Sequence, residues 1–472
     1  MIVHHIIDRP RFSRTAVLYL ATGGASVVLS LLADDWIAGL AALLLAVVWY
    51  LLRVPTEAPV LALAVGTQWL QVTSAVFYEA LTGRRIDAMD ATDYRPMVLI
   101  GLGCIVALAL GLRTGVVWQR RRAGDAKRAV PEAFELPALM PLYIASFPLL
   151  IVIRELAWDI AAFTQPILAL AMLRNVLLFL VLRKLVFPRV RTGWLAFVLS
   201  VEIAFGFSGY FAGFREPLFF AALAFLERFD THRARHWIGI AVVGLLMALL
   251  SLLWTGIKGD YREQYASLGA SAYTKVSVVA ELASGWFDAG SDVLAVDADR
   301  LVDRMWPMVY PAQAVNDAMA SDRPPLGGRI LWGAITHVLT PRFLFPDKDE
   351  LLSDSEMVRE FAGAQVAGRE SDTSIAFGYA PELFLDLGVP LMFVPVFLYG
   401  CLMGAAYAWL YRTIQHRDLA VATVSVIFWL SLYLFERSLV KTFGTSGTLL
   451  IYVGGSMVLF DRYLHRRAQV AP

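Results

Sequence analysis

Apolar residues run along this chain in stretches of membrane-spanning length, while polar residues collect in short gaps and in one long interruption, Ile257 to Gly378. Spans are predicted near 15–33, 36–52, 58–80, 97–118, 137–153, 165–183, 193–213, 216–228, 236–256, 380–411, 419–436 and 446–463. The 216–228 run is the shortest, which predicts a re-entrant helix or one that borrows length from its neighbours. The fold class is therefore all-α: a polytopic integral membrane bundle of about 12 transmembrane helices with a large late extracytoplasmic loop of surface helices. Three parts follow, an N-terminal bundle of about nine spans over 1–256, the loop over 257–378, and about three C-terminal spans over 379–472. The loop holds Trp286, Trp306 and Trp332 among many apolar residues, so it reads as helices packed over the bundle mouth. An ordered loop of that length is a lid or a site more often than a spacer.

Composition agrees with the pattern: 58% of the 472 residues are hydrophobic and 17% charged, which excludes a soluble globular protein. Charge then orients the bundle. The net charge of +1 hides basic clusters at Arg53, Arg120 to Arg122 with Lys127 and Arg128, Arg183 to Arg191, Arg228 to Arg235, Arg412 with Arg417, and Arg466 with Arg467. With a cytoplasmic N-terminus, every one falls inside. Asp34, Asp35, the mixed run Arg84 to Arg95 and the long loop then face outward, and both termini are cytoplasmic. Arg9, Arg11 and Arg14 precede an apolar run without a small-residue cleavage site, so a first span is expected there rather than a signal peptide. Membrane lipids are the implied surroundings and no nucleic-acid partner is implied. Cys104 and Cys401 lie inside apolar runs and read as small buried thiols. No inverted repeat and no low-complexity tract is visible, which counts against a carrier.

Two charges fall deep in the apolar runs. Arg174 and Glu202 sit near the middle of consecutive antiparallel segments, where they can pair as a structural clamp or serve a proton relay. At the outer side, Phe214-Arg215-Glu216-Pro217 places an arginine at a helix start, with Pro217 suited to the first turn. A forked cation at a helix N-terminus holds phosphate or diphosphate; a snorkelling Arg215 paired with Glu216 is the plainer reading. Lys258 and Arg262 add positive charge at the same face. His337, Arg342 and Asp347 lie in a proline-bounded stretch, Thr336 to Lys348. Gly378-Tyr379-Ala380-Pro381-Glu382-Leu383-Phe384-Leu385-Asp386 puts two carboxylates four residues apart on one face at the mouth of a span. These acids suit either proton transfer beside a lipid diphosphate or a salt-bridge network tying loop to bundle. No zinc, Walker, Gly-x-Ser-x-Gly or dinucleotide motif is present, and no cofactor or metal is called for.

In these features the chain resembles the Wzy-type O-antigen and exopolysaccharide repeat-unit polymerases, through the span count, Gly213-Phe214-Arg215-Glu216, the late outer loop, Pro341 to Lys348 and Gly378 to Gly388. The resemblance implies a glycosyltransferase of the bacterial inner membrane. It would transfer a growing glycan from undecaprenyl diphosphate to a second lipid-linked repeat unit at the periplasmic face, without cofactor or metal. It also implies a chain-length regulator and a flippase as partners. Carried over by residue, Arg215 and Arg342 would contact the diphosphate, and Glu382 would be the base or position the acceptor. Arg262, Lys258, His337, Asp347, Glu216 and Tyr379 would complete the substrate-binding set. An O-antigen ligase shares donor, face and span count and differs in its acceptor. A lipid-linked glycan flippase would line its bundle with intramembrane charges and lack a long ordered outer loop, the reverse of this pattern.

Overall fold

The long apolar runs fold as helices because a chain in hydrocarbon must satisfy its backbone internally. The computed structural model describes residues 36–52, 58–83, 92–123, 134–159, 163–187, 190–207, 213–227, 233–265, 272–288, 290–341, 350–368 and 374–470, with a few single positions between. Most of the expected first span, together with the candidates Arg342 and Asp347, lies outside the described residues.

The N-terminal part contains α1 (Trp36–Leu52), α2 (Val60–Thr82), α3 (Arg95–Ala123), α4 (Leu136–Asp159), α5 (Thr164–Ala171), α6 (Leu173–Val186), α7 (Thr192–Phe207), α8 (Arg215–Leu226) and α9 (Ala234–Tyr265). Five helices follow outside the long apolar runs: α10 (Ala272–Asp288), α11 (Ser291–Met305), α12 (Val309–Ala320), α13 (Arg329–Leu339) and α14 (Asp354–Ala362). The chain ends in α15 (Tyr379–Leu387), α16 (Phe393–Thr413), α17 (Arg417–Leu432), α18 (Leu439–Thr448) and α19 (Gly455–Val470), the last two joined by a π-helical turn, Leu449–Gly454. The protein is thus an all-α polytopic membrane bundle with a large helical region outside it.

Among the described residues, seven helical stretches are long and apolar enough to cross a membrane, rather than about twelve: Val60–Thr82, Arg95–Arg122, Leu136–Ile153, Thr164–Val186, His236–Gln264, Phe393–Thr413 and Leu439–Arg467. Apolarity along the sequence does not reveal where a helix stops. Helices α1 and α7 are apolar but only 17 and 16 residues long, and α8 has 12. The last of these reaches about 18 Å, well short of a hydrocarbon core of about 30 Å. The expected 380–411 span is also divided, because Gly388 at φ +67° and Pro390 separate α15 from α16.

The core centres on α3 crossing α16. Gly111 and Gly115 of α3 face Gly400 and Gly404 of α16 so closely that a methyl on any of them would overlap the opposite backbone. Small residues four apart let two membrane helices meet where lipid offers no hydrophobic drive. Against this pair pack α1 and α2, and α17 beyond α2 is buried along nearly its whole length.

Buried charges tie the rest together. Arg174 grips Glu202 with both terminal nitrogens, at 3.1 and 2.5 Å, while the Tyr143 hydroxyl donates to the same carboxylate at 2.7 Å. The guanidinium also lies 4.2 Å from the Phe147 ring centre, so the pair clamps α4, α6 and α7. At the far end of α6, Arg183 binds Glu227 at 2.6 and 2.8 Å and also reaches Asp418, which Lys184 contacts at 2.8 Å. Removing one partner from such a pair costs about 3 to 5 kcal/mol, because the other charge stays buried.

Candidate functional site

Cations from four separate parts of the chain converge at one end of the bundle. Arg215 opens α8, Lys258 and Arg262 lie in the last turns of α9, Arg300 and Arg304 ride on α11, and Arg437 lies between α17 and α18. Arg304, Arg262 and Arg300 stand close enough to Lys258 for their charges to act on it. Burial, then Arg215 and Arg262, lower the pKa of Arg304, with Asp303 and Glu436 opposing. Arg215, Arg300 and Arg304 are nonetheless exposed, so the cluster opens to solvent. The acids interleaved with it are Asp297, Asp303, Glu216 and Glu436. Of these, Glu436 is solvent-accessible yet embedded enough that desolvation raises its pKa against Arg215, Arg437 and Arg304.

Local packing fixes each arm of this cluster. Phe214, fully buried, stacks on Phe207 at 4.7 Å, and the Tyr261 hydroxyl donates to the Phe207 carbonyl at 3.3 Å, which joins the ends of α7, α8 and α9 beneath Arg215. Helix α11 is pinned by Asp297, which is buried and accepts from Trp286 Nε1 at 2.8 Å and from Arg300 at 3.1 Å. Gly256 of α9 makes room for that contact. Buried Trp306, edge-on to Tyr94 at 5.9 Å, anchors the end of α11 just past Arg304.

The non-helical link 433–438 forms one wall of the cluster, and glutamines of α2 hold it. Gln71 Nε2 donates to the Tyr433 carbonyl at 2.8 Å while its oxygen accepts from the Phe435 amide at 3.0 Å; Gln68 Nε2 donates to the Leu432 carbonyl. Backbone groups freed by the helix break are thereby satisfied, as buried polar groups must be. Tyr379 supports the same device, its hydroxyl donating to Gln68 Oε1 at 2.8 Å. Gly378 sits at φ +93° against Phe435 and Glu436, where a side chain would strike their backbone.

Across the link lies a groove of about 310 Å³ bounded by α13, α14, α15 and the start of α18. Its lining includes Arg329, Asp354, Glu360, Phe361, Glu382 and Ser438, and a continuation past Asp354 and Leu351 reaches His337, Ser374 and Lys441. Lys441 binds Asp354 at 2.5 Å. Glu382, 5% exposed, accepts from the Leu439 amide at 2.8 Å and so caps α18. Burial wins over that bond and over Lys441: the Glu382 carboxyl is pushed up to about 8, with Asp354 and Asp386 adding to the rise. Asp386, wholly buried, takes the amides of Ile330 and Leu331 at 3.1 and 2.8 Å and caps α13.

Of the residues singled out from sequence, Arg215, Glu216, Lys258 and Arg262 therefore gather in the basic cluster. Glu382 and His337 line the groove, Tyr379 braces the link from within, and Arg342 and Asp347 lie outside the described residues. Sequence reasoning missed Arg300, Arg304, Glu436 and Arg437 in the cluster, and Gln68, Gln71 and Ser438 around the link. Two glutamines three apart in an apolar helix were the one signal available. No known family, no curated protein and no solved structure matches the chain.

Proposed function

We propose that the protein is a membrane glycosyltransferase that joins oligosaccharide repeat units carried on undecaprenyl diphosphate into a polysaccharide, at the periplasmic face of a bacterial inner membrane. The observation that carries this reading is the open cluster of Arg215, Lys258, Arg262 and Arg304 at the bundle end. Like charges held together raise each other's energy, and a polyanion relieves them. A diphosphate on a lipid, arriving at the end of membrane helices, has the charge and the location that such a cluster fits.

In the proposed reaction the anomeric carbon of the donor glycan forms a bond to an acceptor hydroxyl oxygen while its bond to the diphosphate oxygen breaks. The electron pair leaves on the diphosphate, where the arginines and Lys258 stabilise the growing charge. The hydroxyl proton passes to a carboxylate. Glu436 takes that role in place of Glu382, because it stands among the cations and faces solvent, whereas Glu382 is behind the link and engaged with α18.

The test is incubation of the purified protein with lipid-linked repeat units, with products separated by size. A ladder of oligomers that Arg304→Ala abolishes is the expected result. Transfer onto a lipid core alone makes the protein a ligase, and movement of the lipid across vesicles without a new bond makes it a transporter; either overturns the reading.

A further inference from the structure

The groove behind the link has no part in the chemistry just described, yet it is built like a site. Ser438 occupies the N-cap position of α18, where a serine hydroxyl ordinarily takes a backbone amide. Glu382 takes the first amide of the helix, that of Leu439, while the Ser438 side chain makes no capping bond of its own. Ser438, a residue 3% exposed, lines the groove, and its buried hydroxyl has no partner among the described residues. A buried hydroxyl without a partner is costly, so the site is poised for a ligand that restores the bond.

What the groove would take follows from its lining. Asp354 and Glu360 disfavour an anion, and Arg329 together with Lys441 on Asp354 disfavours a cation. A neutral ligand with many hydroxyls suits both, since carboxylates accept from hydroxyls and Arg329 donates to them. Phe361, 6% exposed, adds an apolar edge to the groove wall. The groove's volume lies at the lower end of the range for small-molecule sites, and its continuation toward His337 and Ser374 leaves room for a further unit. Ser438 is two residues from Glu436, about 7 Å of chain, so a ligand here sits beside the basic cluster.

We infer that this groove binds uncharged sugar residues of the acceptor glycan and presents them to the cation cluster across the link. The inference rests on the glycosyl-transfer reading, which it extends to the second substrate. Glu382 here is a positioning residue: it holds the start of α18, and through it Ser438, in place.

The test uses the full chain in nanodiscs and two probes, inorganic pyrophosphate and the repeat-unit oligosaccharide freed from its lipid by mild acid, each titrated by ligand-observed magnetic resonance. Arg329→Ala and Glu360→Gln, both exposed positions that leave the fold intact, should each weaken oligosaccharide binding, and together at least tenfold, while pyrophosphate binding stays unchanged; Ser438→Ala should weaken the oligosaccharide alone. Oligosaccharide binding that all three variants leave intact, or none at all in a protein that binds pyrophosphate, overturns the groove assignment and leaves the transferase reading standing. A protein that binds oligosaccharide in the groove but no pyrophosphate supports a sugar site here and removes the transferase reading instead.

Discussion

The basic cluster and the Glu382 groove share the link 433–438 as a wall, and they handle charge in opposite ways. The cluster draws cations from α8, α9, α11 and the link and leaves several of them near one another and open to solvent. On the groove side two acids serve construction: Asp386 caps α13, and Glu382 caps α18. Cations gathered where solvent and ligand can reach them suit an anionic ligand, while a carboxylate bonded to a helix end explains itself. By that standard Arg304 is a stronger candidate for chemistry than Asp386.

The largest expected effect falls on the cluster. Replacing Arg304 or Arg215 with alanine should lower polymer formation roughly 10²–10³-fold, as loss of a charge-stabilising donor does, with insertion and thermal midpoint preserved. Normal chain lengths from either variant in a complementation gel would break the contrast. Next, Glu436→Gln should lower turnover on the order of 10²-fold while pyrophosphate binds as well or better, since a negative neighbour has been removed. Weaker pyrophosphate binding in that variant would make Glu436 an organiser of the arginines rather than a base.

Glu382 should show a smaller effect on rate and a distinct one on stability. Its carboxyl rises from an ordinary 4.5 to about 8 in the folded protein, so between those values the folded state holds a proton that the unfolded chain has released. Stability from this group is then lost as pH rises through that window, and the loss is complete above about 8. Thermal midpoints should fall more steeply with pH in the parent than in Glu382→Gln; parallel slopes would remove the buried acid from the account. The smallest difference concerns salt. Raising sodium chloride from about 50 to about 300 mM shortens the screening length and should weaken pyrophosphate binding several-fold, yet leave oligosaccharide binding within about a factor of two. Equal sensitivity of the two probes would argue that both meet the same charges.

The class of the molecule was open in its sequence because a bilayer demands long apolar helices, and the pairing of Arg174 with Glu202 followed from matched depth. The span count was not, since α1, α7 and α8 are too short to be counted and Gly388 interrupts a stretch that remains apolar. Arg215, Lys258 and Arg262 stood out because each marks the end of an apolar helix. Arg300 and Arg304 did not, because on α11 they repeat with Asp297, Asp299 and Asp303 like an ordinary solvated face. Only the docking of α11 through Trp286 and Trp306 turns that face toward Lys258. The glycines joining α3 to α16 drew no notice in the sequence, because only the crossing of the two helices shows what their spacing serves.

A structure of the protein with undecaprenyl diphosphate bound tests the central claim most directly. The account predicts the two phosphates between Arg215, Lys258, Arg262 and Arg304, with Glu436 alongside and Glu382 on the other side of the link. Phosphates lodged in the Glu382 groove, or anywhere that leaves those four cations unengaged, would contradict it.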